Sequence, residues 1–307
     1  MQRLVLSLCL GLWASGLWAG EILINSALEK GDYALAFASA KADVKSGQAT
    51  PAVKMLLAQF YMHGKGTEKN VAAARKLLEP LARSNAEARF LLGGMLKQEA
   101  LQDLQGANGR VDPARYEALG KRSLKERENE RYAAELIYSS ALQGFTPAKE
   151  VVCADISNSV TALSGAERAN WYRQCANREA WARASELGES LAPLNLRREV
   201  MRDPVVTEAF QRLATAAQCT NEDIKPVDFQ ISQPLSGAEY LQLKLSPSKP
   251  YTLIRGQWQE TWTGEACGQR LSLAINFTAD GMGGAQFVPA VSAEELASLR
   301  AAVKRSE

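Results

Sequence analysis

Between residues 25 and 188 the chain is a succession of short helix-period patterns, each apolar along a single stripe. Tyr33, Ala36, Phe37, Ala40 and Val44 share one helical face, and Gly47 ends that helix in the position favoured by a left-handed residue. Val53, Leu56, Leu57, Phe60 and Tyr61 form the next stripe, followed by a tight Gly64-Lys65-Gly66 turn. Asn70 suits the N-cap of a helix carrying Ala74, Leu77, Leu78 and Leu81, and Ser84-Asn85 precedes one bearing Phe90, Leu91, Leu92, Met95 and Leu96. A short helix with one apolar stripe cannot bury it alone. Stacked antiparallel helix pairs are the natural solution, and a generic helical bundle is the plainer alternative.

The first twenty residues read as an export signal. Arg3 supplies a basic start, Leu4 to Leu12 an apolar stretch, and Leu17-Trp18-Ala19 a cleavage site after Ala19. The run is short for spanning ~30 Å of hydrocarbon, which disfavours a membrane anchor. A lipid attachment at Cys9 is disfavoured because Leu8 precedes it and the cysteine lies early. Cleavage would leave four cysteines, Cys153, Cys175, Cys219 and Cys267, which allow three connectivities. Free buried thiols are the other reading. Cys153 and Cys175 lie in one helical stretch, and Cys219 and Cys267 bracket a β-rich stretch. The expected pairs are therefore Cys153–Cys175 and Cys219–Cys267, as suits an oxidising compartment.

The run Tyr61-Met62-His63-Gly64-Lys65-Gly66-Thr67-Glu68-Lys69-Asn70 resembles the Sel1-like repeat, whose pattern is Tyr-x-x-Gly-x-Gly, a polar Asp or Asn, then an Ala-rich second helix. Tyr61, Gly64, Gly66 and Asn70 carry the motif. Residues 72–82, then Asn85-Ala86-Glu87-Ala88 and Leu92-Gly93, continue it. Asp32 to Gly47, Ala141 to Ala148 and Trp171-Tyr172 to Cys175-Ala176 look like further repeat segments. Pro80 inside a helix and the broken period from Ala100 to Val111 depart from the pattern, before Asp112-Pro113 restarts a helix. The resemblance implies an α-solenoid of tetratricopeptide-like helix pairs used as an interaction scaffold. In secreted bacterial proteins it implies service to envelope or exopolysaccharide assembly.

A helix pattern from about Arg197 to Gln218 marks a boundary, and from Pro226 the period changes to two. Phe229 and Ile231, Leu241 to Leu245, Leu253 to Arg255, and Trp258, Glu260 and Trp262 read as strand faces. Leu271, Leu273, Ile275 and Phe277 form the clearest strand. Asp280 to Gly284 is a turn, Gln286 to Val288 a return strand, and Ser292-Ala293-Glu294-Glu295 caps a last helix. The expected architecture is α+β: a signal peptide over 1–19, a helical repeat domain over 20–190, and a small antiparallel β domain with flanking helices over 191–307.

Charge and composition narrow the chemistry. The net charge is +2, with 36 basic against 34 acidic residues, which gives no drive toward nucleic acid. One histidine excludes multi-histidine metal sites. His63 falls in the interhelical turn and carries no catalytic expectation. Ser246-Pro247-Ser248-Lys249 has serine–lysine spacing, but its prolines oppose the helical turn that would bring the amine to the hydroxyl. Gly281-Met282-Gly283-Gly284 reads as a strand turn, Asn276-Phe277-Thr278 as a formal glycosylation sequon, and Arg122 to Arg131 as a solvated helix face. Trp258 and Trp262 could form a carbohydrate platform, with sheet core as the plainer reading. No cofactor, metal or catalytic residue is expected. The expected function is a non-enzymatic adaptor for another protein or peptide, exported to the periplasm of a Gram-negative bacterium, with no membrane span after cleavage. An envelope hydrolase acting on peptidoglycan or β-lactams is the alternative. On the helix at 52–62, the stripe Met55, Gln59 and Met62, with Lys97 beyond it, is the candidate partner contact.

Overall fold

The computed structural model describes residues 19–102, 104–106, 110–219, 223–243 and 252–306. The expected signal segment before Ala19, Leu245 and the Ser246 to Lys249 stretch lie outside the described residues. The fold is α+β, helical first and with an antiparallel sheet near the C-terminus. Among the described residues no helix is long and apolar enough to cross a membrane. The chain forms two compact units, the first ending at Arg83 and the second beginning at Ser84.

The first unit holds α1 (Ala19–Glu29), α2 (Tyr33–Ser46), α3 (Pro51–His63) and α4 (Val71–Leu81). Their ends follow from local chemistry. The Asp32 carboxylate accepts from the Leu35 amide, Thr50 caps α3 with Pro51 behind it, and Asn70 caps α4 through the Ala73 amide. Gly47 and Gly64 end α2 and α3 in the left-handed conformation. Pro80 sits in the last turn of α4. The core joins Ile24, Ala36, Ala40, Val53, Leu57 and Phe60, and Phe37 sets its ring edge-on against Phe60 and Tyr61.

The helices of the second unit before the sheet are α5 (Ala86–Gln102), α6 (Pro113–Gly120), α7 (Glu128–Leu142), α8 (Thr146–Asn158), α9 (Gly165–Arg173), α10 (Glu179–Ser185), α11 (Leu194–Arg202) and α12 (Pro204–Ala216). Asp112 and Pro113 start α6 as N-cap and first residue. The main packing partner of α5 is α7, with α6 and its flanking turns intervening in sequence. The broken period after Ala100 thus corresponds to an insertion between two paired helices. Strands β1 (Lys225–Leu241), β2 (Thr252–Ala266), β3 (Gln269–Ala279) and β4 (Ala285–Pro289) follow in sequence order, all antiparallel, before α13 (Ala293–Ser306). Edge strand β1 carries Pro226, Pro234 and several register shifts, features that discourage pairing with a further strand.

One sheet face is apolar: Phe229, Trp258, Trp262, Leu273, Ile275 and Phe277 pack with Val200, Val206 and Leu299 from α11, α12 and α13. The boundary expected at residue 190 therefore falls within the second unit. α11 to α13 share the core of the sheet, as expected for flanking helices, while Val160, which precedes residue 190, joins the same core and residues 190–192 bond directly to β2. The disulfides pair as expected, Cys153–Cys175 with Cα atoms 6.7 Å apart and Cys219–Cys267 with 5.9 Å. The second ties the end of α12 to the β2–β3 turn, where Cys267 itself takes a positive φ of 50°.

Candidate functional site

The repeat-motif residues come together in the first unit. Gly64 and Gly66 hold φ of +65° and +68°. A Cβ on Gly66 would lie 2.1 Å from the Tyr33 carbonyl oxygen, so the turn passes directly over the start of α2. The Asn70 amide donates to the Tyr61 carbonyl at 2.8 Å, closing the loop. His63 ends α3, and burial, then Lys65 and Lys69, lower its pKa.

The candidate partner stripe needs correction. Met55 is buried at 6% exposure, while Gln59 and Met62 are half-buried. α3 packs against both α2 and α4, so its buried face takes in Val53, Met55, Leu57, Ala58 and Phe60 and is wider than one stripe. Lys97 belongs to α5 in the second unit, where its ammonium pairs with Asp155 of α8 at 2.9 Å. Met55, Gln59 and Met62 do not form the exposed row that helical spacing suggested.

A set of buried ionisable and aromatic groups lies in the second unit, where residues 190–192 join Arg168 of α9 and Arg197 of α11 to Glu260 of β2. Glu260 is fully buried and accepts five hydrogen bonds. Its Oε1 accepts from the Trp258 indole and the Leu191 amide at 2.8 Å and from the Ala192 amide at 3.3 Å. Its Oε2 accepts from the Ser190 hydroxyl at 2.7 Å and the Trp262 indole at 2.8 Å. The alternation of β2 dictates this arrangement, since residues 258, 260 and 262 share one face. Trp258 and Trp262 are core residues, at 3% and 2% exposure, and cannot offer a carbohydrate platform. Trp258 stacks on Phe277 with centroids 5.0 Å apart.

Two buried arginines flank this carboxylate. Arg168 donates to the Ser190 carbonyl at 2.6 Å, and Arg197 to the Ala192 and Ala184 carbonyls at 3.0 Å each. Arg197 also lies over the Phe229 ring at 4.6 Å. Burial, and then the neighbouring Arg168, push the Arg197 guanidinium down to about 10. Burial likewise lowers Arg168. Tyr172 is pushed up to about 12 by burial, against the opposing charges of Arg168, Arg197 and Arg178. Arg178 covers the Trp181 ring at 3.8 Å, and Trp181 meets Tyr172 edge-on at 5.5 Å. Sequence reasoning missed this centre. Its one sequence signal is a glutamate between two tryptophans at alternate positions of a strand, where a charge belongs on the solvent face.

The glycine-rich turn has a structural part. Gly281 and Gly120 are stacked backbone to backbone, so a Cβ on Gly281 would lie 2.3 Å from the Gly120 oxygen. Arg127 is 1% exposed, donates to the Gly281 carbonyl, and pairs with Glu130 at 2.7 Å. The segment from Arg122 to Arg131 is therefore not a wholly solvated face. Asn276 is exposed on the outer face of β3 and accepts from the Gln259 amide at 2.9 Å. A surface groove of about 340 Å³ separates α12 from the paired ends of β1 and β2 and is walled by Val206, Phe210, Ile224 and Pro226. Among the described residues no group of three or more His, Cys, Asp or Glu is placed to hold a metal ion. No protein-family model matches the chain, and no curated protein matches it.

Proposed function

We propose that the protein is an exported adaptor whose Sel1-like helix pairs form a solenoid that binds another protein or peptide without catalysing a reaction. The observation that carries this reading is the α3–α4 connection. Two left-handed glycines, a closing Asn70–Tyr61 hydrogen bond and close passage over α2 are what the repeat's Tyr-x-x-Gly-x-Gly pattern would require of its turn. Two disulfides support an oxidising compartment, and the periplasm of a Gram-negative bacterium is the proposed location. Service to envelope or exopolysaccharide assembly belongs to the same proposal.

The test is cross-linking of the tagged protein in cells followed by mass spectrometry. A reproducible partner cross-linked through residues of α3 or α4, and lost in Met62→Glu with the circular-dichroism melt unchanged, supports the reading. Cross-links confined to the groove beside α12 would move the binding surface to the sheet. Turnover of nitrocefin or peptidoglycan by the purified protein would replace the adaptor with a hydrolase.

A further inference from the structure

Tyr172 and Ser185 are 0% and 1% exposed, and neither hydroxyl has a hydrogen-bond partner in the protein. Buried hydroxyls are ordinarily bonded, so two in one helix pair call for an explanation. They sit on α9 and α10, which pack on each other, and Trp181, one turn before Ser185, meets the Tyr172 ring at 5.5 Å. A helical tyrosine leans toward the N-terminus of its own helix, which carries the Tyr172 hydroxyl back toward the turn of Arg168. At the start of that helix a Cβ on Gly165 would lie 2.4 Å from the Ser185 carbonyl oxygen. Arg197 reaches in from α11 to the carbonyl of Ala184, next to Ser185.

Charge points the same way. Arg168 and Arg197 are 3% and 5% exposed. Their guanidiniums are held by backbone carbonyls, which satisfy donors without supplying charge. The buried carboxylate among them is Glu260, and its two oxygens already accept five hydrogen bonds from neutral donors. Two buried cations thus face one buried anion. Arginine remains protonated near neutrality. A water molecule could accept from both hydroxyls, but it would bring two protons of its own into surroundings rich in donors, and no charge. An acceptor-only anion meets the two hydroxyls and the excess charge together.

We propose that the Tyr172 and Ser185 hydroxyls, beside Arg168 and Arg197, bind one small monovalent anion of the halide class as a structural counterion. Enclosure sets the size, since every group named is at least nine-tenths buried. The anion stabilises the seam between α9, α10, α11 and β2, and this role is independent of the adaptor reading.

The test compares thermal unfolding in chloride, bromide and gluconate at equal ionic strength, after exhaustive dialysis into gluconate. The wild-type protein should melt several degrees higher in either halide, rising with the logarithm of halide concentration. Tyr172→Phe and Ser185→Ala should each shrink that difference. Crystals grown in bromide should show an anomalous peak between the two hydroxyls. Equal melting in the three salts, an undiminished halide effect in both variants, or no bromide peak overturns the proposal and leaves ordered water as the partner. If the variants fail to fold, the wild-type salt series and the bromide peak decide.

Discussion

The Ser190 hydroxyl donates to Glu260 Oε2 at 2.7 Å across 70 residues of sequence. The backbone of the same segment donates to Oε1 through Leu191 and Ala192, and its Ser190 carbonyl accepts from Arg168. A single carboxylate on β2 thus organises the chain between α10 and α11, and two indoles complete its shell. Such a fully satisfied buried network defines one packing of helices on sheet.

Glu260→Gln tests that role. An amide presents one oxygen and an NH2 group that would face donors on the Oε2 or the Oε1 side. At least two donors would lose their acceptor. The expected loss is about 3 kcal/mol of stability, read from urea unfolding, with a weakened near-ultraviolet tryptophan signal in the folded state. An unchanged urea midpoint would show that the shell can rearrange around a neutral group.

Gly66→Val should destabilise the first unit by roughly 2–4 kcal/mol, from a positive φ and the clash with the Tyr33 backbone. Gly94→Ala is the contrasting change. Gly94 lies inside α5 with nothing within 4 Å of an added Cβ and no positive φ. There the substitution should be neutral or stabilise by up to about 1 kcal/mol. Denaturant unfolding of both variants measures the contrast, and equal effects would contradict it.

His63 is the single histidine, so its ring protons form an isolated NMR probe. Burial and two lysines lower its pKa below 6.5. Between the folded value and 6.5 the unfolded chain binds more protons than the native one. Stability from this group is therefore present above 6.5 and falls as the pH drops through that window. His63→Gln should flatten that part of the pH dependence. A titration midpoint at or above 6.5 would contradict the placement of Lys65 and Lys69 beside the ring.

Peptide mapping without reductant should recover Cys153 joined to Cys175 and Cys219 to Cys267. With separations of 22 and 48 residues, the chain-entropy account assigns them about 3 and about 4 kcal/mol. Reduction should lower the melting temperature. Recovery of a Cys153–Cys267 peptide would refute the fold of the second unit.

Much of the architecture was legible in the sequence because it rests on local rules. Helical period, the caps Asn70 and Asp112, and the alternation through Leu271 to Phe277 each act over a few residues. The cysteine pairing followed from where those elements lay. The flanking of the sheet by α11 to α13 was expected, but the division at Arg83 and the joining of Val160, which precedes residue 190, to the same core were not legible, since a boundary depends on which apolar faces meet.

The sequence by itself determined where chain segments become helix or strand and where Gly64 and Gly66 must turn, and it favoured one cysteine pairing among three. Tertiary structure alone decided that Met55 is covered, that Lys97 is held by Asp155, that Arg127 is enclosed beneath Gly281, and that Glu260 sits in the core with Arg168 and Arg197 around it. The reason is physical. Turn and cap preferences come from sterics and hydrogen bonds between near neighbours in the chain, whereas burial of a charge or a methionine depends on distant segments whose approach no local pattern encodes.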